Sequence, residues 1–186
     1  MSRDYTSLRA TVSSGKDDWC TPRAVIEELD AEFQFCLDVA SSASAAASQE
    51  WLGPGSAWQE DGLDPWPDVP GNRSAWCNPP YSRAAGRGKG ILAWHERAWL
   101  QSREGWTTVL LCPPHPGRGW FHRFAVRADE VRVYRRRLAF IDPATSEPAK
   151  GNTQDSCLVI YRPSVPDAGY PGGPRWSWVD LPGRRR

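Results

Sequence analysis

The chain is poor in the features that would commit it to a metal, a membrane or a polyanion over its whole surface. It has only three histidines (95, 115 and 122), and no Cys-x-x-Cys occurs among its five cysteines. Cysteines 20, 36, 77, 112 and 157 are scattered, odd in number and mostly set in apolar runs. That pattern reads as buried free thiols in a reducing compartment, not as a zinc site or a disulfide framework, and no metal is expected. There is no long apolar stretch and no signal-peptide pattern, so a soluble cytoplasmic protein without a membrane partner is expected. The net charge is +1, which supplies no overall field towards nucleic acid, so any such surface must be local. Internal repeats are absent. The Gly86–Gly90 loop is no Walker loop, because Lys89 is followed by Gly90 where Ser or Thr would stand.

Tryptophan, proline and glycine are plentiful: 11, 17 and 16 residues in a chain of 186. This composition predicts many turns and long loops around one domain large enough for a real core. Residues 1–16 are polar and aperiodic and read as a flexible N-terminal arm. Residues 17–162 carry the periodic elements, and 163–186 form a Pro/Gly/Trp-rich tail ending in three arginines. In the central part, Thr21 is placed to N-cap a helix with Pro22 at its first position, and Val25, Ile26, Leu29 and Phe33 share one helical face. Short strands are predicted over 33–39, 74–78, 107–112, 130–140 and 156–162. Helices are predicted over 91–102 and 119–128, the first with Ile91, Leu92, His95, Ala98 and Trp99 on one face; residues 53–73 read as loop. Strands alternating with helices predict an α/β fold with a mostly parallel sheet and helices on both faces. Ligand residues in such sheets lie just past the carboxyl ends of strands, where Asp38 and Asn78 fall.

The most informative segment is Asn78-Pro79-Pro80-Tyr81, at the end of the apolar run Ser-Ala-Trp-Cys. The proline after Asn78 confines it to extended backbone, so its side chain and the next carbonyl can point the same way. The two prolines have no N–H, so the turn offers acceptors with few competing donors. An exocyclic amine on a planar ring could give one hydrogen to the Asn78 side-chain oxygen and one to the Pro79 carbonyl, with Tyr81 stacked on the ring. Accepting both hydrogens draws the nitrogen towards a tetrahedral state with an available lone pair, which amino-methylation requires. The same four residues also fit an ordinary Asn-Pro turn at a strand end.

Further motifs stand around it in order. They are Asp-Asp-Trp-Cys-Thr-Pro at 17–22, Phe-Cys-Leu-Asp-Val-Ala-Ser-Ser at 35–42, Asp61-Gly62-Leu63 with Trp66, Leu111-Cys112-Pro113 followed by Trp120-Phe121-His122, and Arg137-Leu138-Ala139-Phe140. Together with Asn78–Tyr81 the set resembles the phage-type, Dam-like DNA N6-adenine methyltransferases over about residues 17–162. The resemblance implies a class I fold using S-adenosyl-L-methionine in a bacterial host or prophage setting. It further implies direct transfer of the methyl group to N6 of an adenine flipped out of double-stranded DNA. Asn78, Pro79, Pro80 and Tyr81 take the catalytic role. Trp19, Thr21 and Pro22 match the segment closing over the methionine end of the cofactor, and Asp38, Val39 and Ala40 match the first cofactor-binding motif. Glu60, Asp61 and Asp64 are candidates for the cofactor's ribose or adenine, with Asp61 chosen.

The chain departs from the family pattern in places. No Gly-x-Gly follows Asp38, Arg136 stands where the family usually has Gly, and Pro-Pro-His-Pro-Gly-Arg-Gly follows the leucine strand. Arg83, Arg87, Lys89 and Arg137 are the candidate DNA contacts, with Arg135, Arg136 and the terminal arginines behind them; such phosphate contacts position a duplex without reading its sequence. The alternation Val131-Arg132-Val133-Tyr134-Arg135 equally fits an ordinary half-exposed strand. RNA adenine or a protein glutamine would suit the same grip, and a non-catalytic DNA-binding relic of the fold is a further alternative. Cytosine N4 is disfavoured because that subgroup tends to carry Ser where Asn78 stands.

Overall fold

The computed structural model describes residues 19–82, 88, 90–163 and 173–183. The expected flexible arm over 1–16, the candidate contacts Arg83, Arg87 and Lys89, and the terminal arginines lie outside the described residues. Three helices, α1 (Arg23–Phe33), α2 (Ile91–Arg103) and α3 (Gly119–Arg123), accompany seven strands. The strands are β1 (Leu37–Asp38), β2 (Glu50–Trp51), β3 (Ser74–Cys77), β4 (Thr107–Cys112), β5 (Glu130–Tyr134), β6 (Cys157–Tyr161) and β7 (Arg175–Val179). They form one sheet in the order β2-β1-β3-β4-β6-β5-β7. Only β6 runs against its neighbours; all other pairings are parallel. The carboxyl ends of β1, β3 and β4 therefore open on one edge, and the chain enters β6 from that same edge.

Period-two alternation builds a core on each face. Val109 and Leu111 of β4 pack with Trp76, Leu158 and Ile160 against Val25, Leu29 and Phe33 of α1. Leu110 and Cys112 pack with Ala75, Cys77 and Val159 against Trp94 and Ala98 of α2 and Trp120 and Phe121 of α3. The helices thus cover both faces. In the second core His95 is wholly buried, its Nδ1 2.7 Å from the Tyr161 hydroxyl and its ring stacked on Trp120 at 4.5 Å. Burial pushes its pKa down to about 3, so it stays neutral. All five cysteines are free thiols: Cys77, Cys112 and Cys157 are buried, Cys20 and Cys36 half-buried.

Several elements differ from their sequence expectation. Thr21 does not cap α1. Pro22 is the cap residue, its carbonyl accepting from the Val25 and Ile26 amides, and Arg23 opens the helix. Proline at the cap itself keeps its non-helical ψ of 135° while still offering that carbonyl. The face of α2 is rotated towards Trp94, Gln101 and Ser102, which are buried, while Ile91, Leu92 and Trp99 are half-buried. β5 ends at Tyr134, short of Phe140, because β6 begins at Cys157 opposite Val133 and offers no partner further on. Gly119–Arg123 and a 3-10 turn over Ala125–Arg127 replace one continuous helix. Arg175–Val179, read from sequence only as part of the Pro/Gly/Trp-rich tail, pairs with the whole of β5 as an edge strand.

Candidate active site

β3 is buried along its full length and hands the chain to Asn78 at the carboxyl edge of the sheet. Asn78 is half-buried, and its Nδ2 donates to the Trp19 carbonyl at 3.0 Å. This fixes the amide's polarity: the nitrogen is spent on Trp19, and the Oδ1 oxygen remains as an acceptor. Asn78, Pro79 and Tyr81 line a solvent-open cleft of about 70 Å³ with Trp19, Pro113, Phe140, Asn152, Gln154, Asp155 and Ser156. The Tyr81 hydroxyl donates to the Leu111 carbonyl at 3.4 Å, tying its ring to the end of β4. Trp19 and Phe140 meet at 6.1 Å between ring centroids, giving a second aromatic surface. Such walls around a few polar acceptors suit a planar heterocycle carrying an amine.

The far wall was not singled out in the sequence. Phe140 and Pro113 carried motif matches without a role, and Asn152–Ser156 had no assignment. The signal was a polar run immediately before the apolar strand at 157. Asn152 fixes this strap, its Nδ2 donating to the Leu138 carbonyl at 3.0 Å and its Oδ1 accepting from the Gln154 amide at 3.0 Å. Gln154 Oε1 lies 2.9 Å from His115 Nε2, which ties the strap to the proline-rich segment after β4. Arg137 Nε donates to Asp155 at 3.2 Å, so this candidate DNA contact sits exposed at the rim of the cleft.

Asp38 ends β1, one strand over from Asn78, and is 3% exposed. Its two oxygens accept the amides of Ala40 at 3.2 Å and Ala47 at 2.9 Å, so it holds the small-residue turn closed. Burial raises its pKa to about 6, with the Ala47 and Ala40 amides and Ser41 opposing the rise. Two glycines flank the turn. A Cβ on Gly62 would stand 1.8 Å from the Val39 carbonyl oxygen, and one on Gly53, whose φ is +148°, would stand 1.8 Å from that of Ser41. Gly62 thus brings Asp61 against the turn after β1. Asp61 is half-buried and its Oδ1 accepts the Leu63 amide at 2.8 Å, whereas Glu60 and Asp64 are exposed. The Thr21 hydroxyl oxygen is buried with no hydrogen-bond partner among the described residues. The Asn78–Trp19 bond brings Trp19, at the head of the segment that leads through Thr21 and Pro22 into α1, to the Asn78 turn.

Arg132 belongs to the fold. It pairs with Glu32 at 2.6 Å and Glu130 at 2.8 Å, joining α1 to β5 with only 15% of its side chain exposed. Among the described residues no three His, Cys, Asp or Glu side chains gather as a metal-binding group, and no helix is long and apolar enough to cross a membrane.

These features define a mixed α/β domain with an aromatic-walled cleft, carrying the Asn78 side-chain oxygen, at the carboxyl edge of its sheet. The chain belongs to the DNA N-6-adenine-methyltransferase (Dam) family, whose model matches residues 9–170. It is 26% identical over 168 residues to the DNA N-6-adenine-methyltransferase of Escherichia phage T1, a match covering 82% of this chain and 65% of that relative. The chain therefore spans somewhat less than two thirds of the length of the curated relative it matches. No solved structure matches it.

Proposed function

We propose that the chain is a DNA methyltransferase acting on N6 of adenine, with S-adenosyl-L-methionine as methyl donor and a class I fold around it. The observation that carries this reading is the Asn78–Trp19 hydrogen bond, which leaves the Asn78 oxygen as an acceptor beside Pro79 and Tyr81 in an aromatic cleft. Asn78 Oδ1 and the Pro79 carbonyl take the two amine hydrogens, and Tyr81 stacks on the base. Pro80 keeps the turn free of a competing donor. Holding both hydrogens localises the nitrogen lone pair and stabilises the positive charge that develops on the amine during transfer. An adenine inside duplex DNA cannot reach this cleft, so the base is flipped into it.

The residues present fit the cofactor. Trp19, Thr21 and Pro22 would close over its methionine end, the buried Thr21 hydroxyl supplying a polar atom that has no partner among the described residues. Asp38, Val39 and Ala40 would form the turn that carries it, and Asp61 would take its ribose or adenine. When bound, it supplies an electrophilic methyl group on a sulfonium. Arg137 at the rim, with Arg83, Arg87 and Lys89, would contact phosphates flanking the flipped base.

Single-molecule sequencing of DNA from cells expressing the protein tests the reading. N6-methyladenine in a defined context is expected, and its absence alongside methylated RNA or protein glutamine would transfer the grip to those acceptors. Thermal stabilisation by S-adenosyl-L-methionine separates an enzyme from a DNA-binding relic.

A further inference from the structure

Ser156 stands apart from the other polar side chains that line the cleft. The Asn78 amide is engaged by the Trp19 carbonyl, Tyr81 by Leu111, Asn152 by Leu138, Gln154 by His115 and Asp155 by Arg137. Ser156 is 3% exposed, and its hydroxyl makes no hydrogen bond among the described residues. Its position is nevertheless firmly set. Its carbonyl accepts the Tyr134 amide at 3.1 Å, and it directly precedes Cys157, which pairs with Cys112. Continuing that antiparallel register sets Ser156 opposite Pro113, across the cleft edge from the turn that holds Asn78. A cleft-lining hydroxyl that no described residue engages is available to donate to an acceptor on a ligand.

We propose that Ser156 reads the target base, its hydroxyl donating to a ring nitrogen that flanks the amine held by Asn78 and Pro79. This rests on the adenine reading above and adds a specificity-determining residue to it. In adenine the carbon bearing the amine is flanked by N1 and, across the ring fusion, by N7, and both are unprotonated acceptors. Two acceptors for the amine and one donor beside them match that edge. Guanine offers a carbonyl in place of the amine, which opposes the two acceptors of the grip.

The test uses tritiated methyl transfer to a duplex carrying the methylated site, with the target adenine intact or replaced by 1-deazaadenine or 7-deazaadenine. The wild type is expected to lose about tenfold in kcat/KM on one analogue, and that analogue identifies the nitrogen. Ser156→Ala is expected to lose about tenfold on adenine and to treat that same analogue within twofold of adenine. Taking the ratio within one variant removes any general loss of folded enzyme. Should Ser156→Ala fail to fold, the wild-type series still decides: equal rates on all three duplexes overturn the proposal. It is overturned as well if Ser156→Ala keeps the wild-type discrimination, while methylation of adenine by the wild type leaves the parent reading standing. No transfer to adenine by the wild type would bring down both.

Discussion

Asn78 donates its side-chain amide to the carbonyl of Trp19, 59 residues earlier in the chain, at 3.0 Å. One bond thereby orients the proposed amine acceptor and fastens the segment 19–22 that the family resemblance assigns to the cofactor. Alanine at 78 removes both functions. We expect Asn78→Ala to lower kcat by about a hundredfold or more, the usual scale for deleting one preorganised transition-state contact. Asn78→Asp separates the two roles. A carboxylate still accepts from the amine but cannot donate to Trp19, so its Kd for S-adenosyl-L-methionine should rise more than its kcat falls. Calorimetry alongside methyl transfer distinguishes these outcomes, and wild-type activity in Asn78→Ala would end the catalytic assignment.

Asp38 predicts a pH dependence of definite sign. Burial raises its folded pKa to about 6 from an ordinary 3.8. The folded chain therefore binds this proton more tightly than the unfolded one, and the group's contribution to stability falls as pH rises from about 4 to about 6. Glu32 and Glu130, lowered by the Arg132 hydrogen bonds, contribute in the opposite direction, losing stability as pH falls. The difference between wild type and Asp38→Asn in urea melts across pH 4–7 isolates the Asp38 part. A cationic ligand favours the ionised form, so affinity for S-adenosyl-L-methionine should weaken as pH drops through about 6. An affinity flat over that interval would remove Asp38 from the cofactor's electrostatics.

The glycines beside the turn after β1 give a steric prediction. A methyl group at Gly62 would overlap the Val39 carbonyl oxygen and stand 3.1 Å from the Trp94 ring, so the backbone must shift. Gly62→Ala should cost about 1–3 kcal/mol of stability, as overpacking does. The displaced turn should also weaken cofactor binding, while Gly55→Ala, where no atom lies within 4 Å, tests φ strain alone. Melting curves with and without S-adenosyl-L-methionine measure both effects.

Much of the fold was legible because its signals are local. Thr107–Cys112 is an uninterrupted buried strand and appears with the bounds its apolar run suggests. Ser74–Cys77 ends where prolines forbid further ladder bonds, which made Asn78 visible. The remainder depended on partners that periodicity cannot show. Arg135–Phe140 continues the strand reading, but β6 begins opposite Val133 and β7 ends opposite Tyr134, so no strand runs on beside it. Arg175–Val179 sits among prolines and glycines and becomes a strand because the exposed edge of β5 accepts it. Likewise, Asn152–Ser156 looks like a turn, and becomes a cleft wall only through Asn152 holding Leu138 and β6 pairing with β4. Gly53 and Gly62 match no nucleotide-binding glycine pattern, since their role is to let two loops touch the turn after β1.

Arg132 separates charge that holds the fold from charge available to DNA. Its guanidinium bridges Glu32 and Glu130, and Glu130, only 12% exposed at its side chain, also meets Arg162 and Arg175 at 3.4 and 3.5 Å. Removing Arg132 leaves a poorly solvated carboxylate with weaker partners. Arg132→Met should therefore destabilise the protein by about 1–3 kcal/mol. It should leave the salt dependence of DNA binding unchanged, because it releases no phosphate contact. Arg137→Ala should do the reverse. Its pair with Asp155 is exposed on both sides, at 59% and 64%, and is worth little to stability. If Arg137 touches a phosphate, its loss should reduce the slope of log K against log salt by about one. Fluorescence anisotropy over a salt series, with urea melts in parallel, measures both. A reduced slope in Arg132→Met with unchanged stability would return the alternating strand to the DNA surface.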